Sequence, residues 1–174
     1  MTDREDAHRS QTKAATDMYQ TKNDLPAHTR AEVIEILNAR LADSMDRMHQ
    51  AKQVHWHVKR PSFIALHTRF DDVVDAAEDS MDLLAERVVQ WGGTAKGTIQ
   101  VATARTELKA YPLTLAEERD HVEALSSALA AYGTSVRRAI EQTDVLGDRD
   151  TADIFTELSR GVDKSLWFVE AHLG

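Results

Sequence analysis

Between Leu66 and Trp91 apolar side chains recur at steps of three and four without a break: Leu66, Phe70, Val73, Ala77, Met81, Leu84, Val88 and Trp91. That period puts all of them on one face of an α-helix, whereas a strand would send them to alternate faces. Gly92-Gly93 follow at once and stop the helix, because glycine takes the left-handed conformation with which helices end. A helix predicted from about Phe63 to Trp91, with so continuous an apolar stripe, needs partners of similar length to cover it.

The rest of the chain supplies them. Thr29-x-x-Glu32 reads as a capping box that opens a first helix. Its stripe runs through Ile34, Leu37, Leu41, Met45, Met48 and Ala51 to His55, and the helix is expected to end near Lys59-Arg60-Pro61. Residues 94–112 form a long connection, with one short helix expected around Ile99–Ala104. Thr114-x-x-Glu117 reads as the cap of a third long helix, whose face is Leu115, Val122, Leu125, Leu129, Tyr132, Val136 and Ile140. After Gly147-Asp148-Arg149-Asp150, a fourth helix carries Ile154, Leu158, Val162, Leu166 and Val169. The predicted fold is all-α, a ferritin-like four-helix bundle with a long crossover carrying a short helix. Residues 1–24 are polar without period and read as a flexible arm; residues 25–174 form the bundle domain.

Composition narrows the function. The absence of cysteine removes disulfides, thiolate metal sites and cysteine nucleophiles together. A net charge of −8 favours cationic partners over nucleic acid. No apolar run reaches the length of a membrane span, and the polar start Met1-Thr2-Asp3-Arg4-Glu5-Asp6 lacks a signal core. A cytoplasmic location is expected.

Five potential metal ligands cluster in the sequence: His55, His67, Asp71, Asp82 and Glu86, with Trp56 beside the first. His67–Asp71 and Asp82–Glu86 are both i,i+4 pairs, so each shares a helix face. The two pairs lie eleven residues apart, roughly 16 Å along the axis, while iron or zinc needs its ligand atoms near ~2 Å. One helix cannot bring both pairs to one metal. If all five residues hold the same ion, the site is built from two chains. The competing interpretations are a solvated acidic face, a core histidine at His55 and plain packing at Trp56. Against the first, Asp71, Asp72, Asp75, Glu78, Asp79, Asp82 and Glu86 crowd one helix with only Arg69 and Arg87 to offset them, and such carboxylates repel unless a cation binds. Imidazole with carboxylate suits Fe(II), Zn(II) or Mn(II).

The run Lys52-Gln53-Val54-His55-Trp56-His57-Val58-Lys59-Arg60-Pro61-x-Phe63-Ile64-Ala65-Leu66-His67-x-x-Phe70-Asp71 resembles the signature of the Dps mini-ferritins. Asp82-x-x-Ala85-Glu86-Arg87-Val88-Val89-Gln90-Trp91-Gly92-Gly93 continues it, as do Tyr111-Pro112-Leu113 and Thr151-Ala152-Asp153-Ile154. The similarity covers about residues 21–173. It implies a hollow dodecamer that oxidises Fe(II), preferably with hydrogen peroxide, and stores Fe(III) mineral without an organic cofactor. Carried over by position, His55, His67 and Asp71 come from one subunit and Asp82 and Glu86 from its two-fold neighbour, with Trp56 as the flanking indole. His57 departs from the family, which usually has Asn there; exposure, a hydrogen bond or an extra iron ligand are open to it. The loop around Thr143–Asp150 also looks longer than in the family. Asp148 and Asp153 are candidates for lining an acidic entry pore, or equally for an N-cap cluster on the fourth helix.

The alternative function is condensation of DNA. Residues 1–24 hold Arg4, Arg9, Lys13 and Lys22 against Asp3, Glu5, Asp6, Asp17 and Asp24, which is no basic arm, so DNA binding is expected to be weak at physiological salt. A bacterioferritin-type di-iron bundle needs a Glu-x-x-His step on each of two facing helices. The expectation is that the chain has no Glu-x-x-His step, Glu170-Ala171-His172 being one residue too short, and a within-chain di-iron site is rejected.

Overall fold

The computed structural model describes residues 18–59 and 61–174, so most of the predicted arm lies outside the described residues. Among the described residues five helices follow one another: α1 (Ala27–His57), α2 (Phe63–Gln90), α3 (Ile99–Arg105), α4 (Glu118–Val145) and α5 (Arg149–Glu170). The two most extensive pairings are α1 with α2 and α4 with α5. Contacts of α1 with α4 and of α2 with α5 close these pairs into a four-helix bundle, and α3 lies on α1. The predicted stripes meet in the core, where Leu37, Leu66, Phe70, Leu84, Leu125, Leu129 and Tyr132 are fully buried. Phe155, off the predicted α5 stripe, joins them.

Both predicted capping boxes are corrected by the structure. α1 begins two residues before Thr29, with Pro26 at the N-cap and Arg30 N–H donating to the Pro26 carbonyl. Thr29 is buried inside the first turn, where its hydroxyl cannot serve as a cap. α4 begins at Glu118, beyond the predicted Thr114-x-x-Glu117 box, and Glu117 is itself the N-cap residue. The helix stops follow the expected chemistry. Gly92 has φ +88°, and Gly92 N–H and Gly93 N–H donate to the Val89 and Val88 carbonyls, closing a Schellman motif. Gly147, at φ +84°, ends α4 in the same way through Asp144 and Thr143.

The crossover is fastened along α1 from one end to the other. Asn38 donates to the Thr94 carbonyl and accepts from Lys96 N–H. Further along, Asp43 accepts from Glu107 N–H, Asp46 from the Thr106 hydroxyl, and Gln50 donates to the Lys109 carbonyl. α1 is thus covered on its outer side as well as its core side. That explains why Asn38, Arg40, Asp43 and Gln50 are buried on a helix whose apolar stripe is narrow, while Arg47 is buried on the inner side, against Ser80 and the Tyr132 ring. The start of the described chain is also tied down. Tyr19 N–H donates to the Gly92 carbonyl, the Tyr19 hydroxyl bonds the Val89 carbonyl, and Arg30 bridges the carbonyls of Leu25 and Trp91. Within residues 18–24, read from sequence as part of the arm, Tyr19 is therefore bonded to the end of α2.

Candidate metal centre

His55 stands in the last turn of α1 and His67 near the start of α2, so the tight corner between the helices brings the two rings together. They stack with centres 3.5 Å apart. Each ring is held by the other residue's backbone: His55 Nδ1 donates to the His67 carbonyl at 2.9 Å, and His67 Nδ1 to the His55 carbonyl at 3.0 Å. A carbonyl only accepts, so in the neutral form of each ring Nδ1 carries the proton and Nε2 keeps the lone pair. This is how a metal-binding histidine is usually oriented by its second hydrogen bond. Asp71, one turn after His67, completes a group whose ligand atoms lie within 4.8 Å of one another. Among the described residues it is the one such group of three.

Lys52 Nζ donates to Asp71 Oδ1 at 2.7 Å, and His55 Nδ1 lies 3.2 Å from the same oxygen. The Lys52 hydrogen bond, with smaller help from the two imidazoles, holds the Asp71 carboxyl below the usual carboxylate range. Asp71 is therefore ionised at neutral pH, with Oδ2 left to meet a cation. Lys52 was not singled out from sequence; its i,i+3 step to His55 was the available signal.

Asp82 and Glu86 are not part of this group. They stand exposed further along α2, and no ion pair among the described residues uses them, nor Asp75, Glu78 or Asp79. Exposed apolar side chains flank both halves: Trp56, Phe63 and Ile64 near the histidines, Leu83 and Val89 near the acids. Trp56 is 64% exposed, so packing inside the chain does not account for it. His57 is exposed and donates from Nδ1 to the Gln53 carbonyl at 2.7 Å.

The two candidate pore residues separate. Asp153 is exposed, but Asp148 is buried and fully committed. It caps α5 through Thr151 N–H at 3.0 Å, accepts from the Thr151 hydroxyl and from Trp91 Nε1 at 2.8 Å, and pairs with Arg87 at 3.1 Å. A carboxylate with four donors in the interior is committed to the helix cap, the alternative that the sequence left open beside the pore for Asp148. Its loop joins the ends of α2 and α5 instead. The expectation that the chain has no Glu-x-x-His step is corrected: Glu118-Arg119-Asp120-His121 is one, and it opens α4. His121 is buried, meets the Tyr111 hydroxyl through Nδ1, and is held in the neutral form chiefly by that burial. Burial likewise pushes the Tyr111 phenol up to about 12.

Residues 34–174 match the family described as the ferritin-like domain. The "DNA protection during starvation protein" of Agrobacterium fabrum is 46% identical over 155 residues, spanning 89% of this chain and 96% of that protein. DpsC from Streptomyces coelicolor superposes with a TM-score of 0.86 at 28% identity, covering 90% of this chain and 92% of its own. The Dps from Microbacterium arborescens in its high iron form gives 0.79 at 30% identity, covering 89% and 99%. Fold, signature residues and relatives agree: the chain belongs to the ferritin-like family, in its Dps mini-ferritin branch.

Proposed function

We propose that this protein oxidises Fe(II) with hydrogen peroxide and stores the resulting Fe(III), at sites shared between two subunits of a hollow dodecamer. The observation that carries the proposal is the half-site: two anchored imidazoles and an ionised carboxylate converge, and the acids that would complete the ligand set stand exposed about 16 Å away on the same helix. His55, His67 and Asp71 of one subunit would meet Asp82 and Glu86 of its neighbour. The exposed apolar residues beside each half would be covered in the same contact, and a two-fold axis would build two such sites at once.

Iron is substrate and cargo here. Neutral Nε2 atoms and carboxylate oxygens suit Fe(II), and extra carboxylates favour the more highly charged Fe(III) that forms. Two Fe(II) give two electrons to one peroxide, which takes up two protons and leaves as two waters. Pairing the electrons avoids the one-electron cleavage that releases hydroxyl radical. Trp56, at the exposed rim, would intercept an oxidising equivalent that escapes. Fe(III) would hydrolyse and move to acidic inner surface, with Asp153 the remaining candidate for the entry path. The protective role named for the Agrobacterium relative would follow from removal of iron and peroxide together. Work in the cytoplasm, where both are generated, is consistent with this chemistry.

The alternative, condensation of DNA, receives no support from charge. The chain carries −8 overall, and a surface that grips phosphate must be basic. The deciding experiment is an anaerobic titration of the assembled protein with Fe(II), followed by peroxide and, separately, by oxygen. Fast Fe(III) absorbance with peroxide at one peroxide per two irons, without hydroxyl radical trapping, is expected. Oxidation no faster than in protein-free buffer would overturn the proposal.

A further inference from the structure

The departure at His57 acquires a partner in the fold. The His57 and His121 ring centres are 6.2 Å apart, tilted by 31°, with His57 at the last residue of α1 and His121 in the first turn of α4. With a metal–nitrogen bond of about 2.0–2.1 Å, an ion sits roughly 3.2 Å from each ring centre, so two ligating imidazoles span at most about 6.4 Å. The observed separation is inside that limit. Tetrahedral closure needs about 5 Å between ring centres, and the ligand atoms of His57, His121 and Glu118 do not all lie within 4.8 Å of one another as they stand, so binding requires the exposed His57 ring and the Glu118 carboxylate to swing inward. Nδ1 of His57 is bound to the Gln53 carbonyl and Nδ1 of His121 to the Tyr111 hydroxyl. The second nitrogen of each ring is left for a ligand.

A third donor stands one turn before His121. Glu118 shares a helix face with it at i,i+3, the Glu-x-x-His step that bundle proteins use to hold metals. One Glu118 oxygen, Oε2, is buried and has no hydrogen-bond partner among the described residues. A buried carboxylate oxygen without a donor is costly unless a cation or water meets it. Of the nearby charged groups, Asp120 favours a cation and Lys59 opposes it.

We infer that His57, His121 and Glu118 form a second site for a divalent transition metal of the zinc or cobalt class, separate from the His55–His67–Asp71 group. Two imidazoles and one carboxylate leave a coordination position for water, and the ligands come from α1 and α4 of one chain. The site needs no second subunit. A metal bound there would tie the start of α4 to the end of α1, next to the corner that carries His55.

The test uses assembled protein in a His67→Ala background, so that the half-site is weakened and iron oxidation plays no part in the readout. Calorimetric titration with Co²⁺ or Zn²⁺ should show one ion per subunit whose affinity falls at least about tenfold on adding His57→Asn. Adding His121→Gln should do the same, and Glu118→Gln should weaken binding less. Crystals of the unmutated protein grown with Zn²⁺ should give an anomalous zinc peak within bonding distance of His57 Nε2 and the His121 ring. Equal stoichiometry and affinity with and without His57→Asn, in variants that keep native helical content and assembly, would overturn the inference. So would zinc crystals with no peak between the two rings.

Discussion

Removing the Asp148 side chain should cost far more than an ordinary helix cap. Truncation to alanine removes the α5 cap, which alone is worth about 1 kcal/mol. It also leaves Arg87, 12% exposed at its side chain, without its carboxylate, and Trp91 Nε1 without an acceptor. Breaking a buried charge pair by deleting one partner costs about 3–5 kcal/mol, and these losses overlap rather than add. Asp148→Ala should therefore destabilise the subunit by about 3–5 kcal/mol. Asp148→Asn keeps an oxygen for Thr151 N–H and should cost about 1–3 kcal/mol. Urea unfolding followed by circular dichroism, at fixed protein concentration because assembly couples to stability, measures both. Initial iron-uptake rates supply the contrast: in Asp148→Asn they should match the parent at a temperature where both are folded. A change below 0.5 kcal/mol for Asp148→Ala (roughly the effect of a neutral surface substitution), or slowed uptake in a fully stable Asp148→Asn, would return this residue to a pore and refute the reasoning.

Other outcomes follow from single positions. Gly92→Ala places a Cβ 2.6 Å from the Tyr19 carbonyl oxygen at φ +88°, whereas Gly147→Ala has the same backbone cost and open space. Thermal unfolding should show a loss of about 1 kcal/mol for Gly147→Ala and at least about 1 kcal/mol more for Gly92→Ala. Lys52→Gln frees Asp71 from the ammonium that competes with a cation, so Co²⁺ affinity at the half-site should rise near neutral pH and acid sensitivity of binding should shift upward. His121 has its affinity for protons depressed below the free value of 6.5, so the unfolded chain takes up the proton more readily. Its contribution to stability is then complete above pH 6.5 and lost as pH falls through the folded value. In EDTA, the stability difference between the parent and His121→Gln should shrink as pH falls below that point. In a gel-shift assay at ~150 mM salt, duplex DNA should not be retarded.

Periodicity made the bundle legible because long apolar stripes on helices have few other solutions. Gly92 was readable as a stop for the same reason that it is needed: the structure uses its positive φ. The starts were less legible. Thr29 and Thr114 have the right spacing for capping boxes, yet Pro26 and the extended Glu117 set the actual starts. Local sequence cannot tell a cap from a threonine that tertiary packing buries. Spacing on α2 separated the histidine half from the acidic half, and the structure gathers His55, His67 and Asp71 while leaving Asp82 and Glu86 exposed. Long-range partners were out of reach of spacing: Lys52 on Asp71, Arg87 on Asp148 and His57 beside His121 arise only when helices pack.

Mixed assembly tests the shared site most directly. In a pair made from a His67→Ala subunit and a Glu86→Ala subunit, one site collects both lesions. The other draws His55, His67 and Asp71 from the Glu86→Ala chain and Asp82 and Glu86 from the His67→Ala chain, and is intact. Each homomeric variant has every site damaged. With equal, random mixing, about a quarter of all sites are whole, so peroxide-driven Fe(II) oxidation should return to about a quarter of the parent rate above the homomer background. A double variant in one chain sets the floor. If mass measurements verify co-assembly and the mixed protein oxidises iron no faster than its two homomers, the ligands are not divided between subunits in this way.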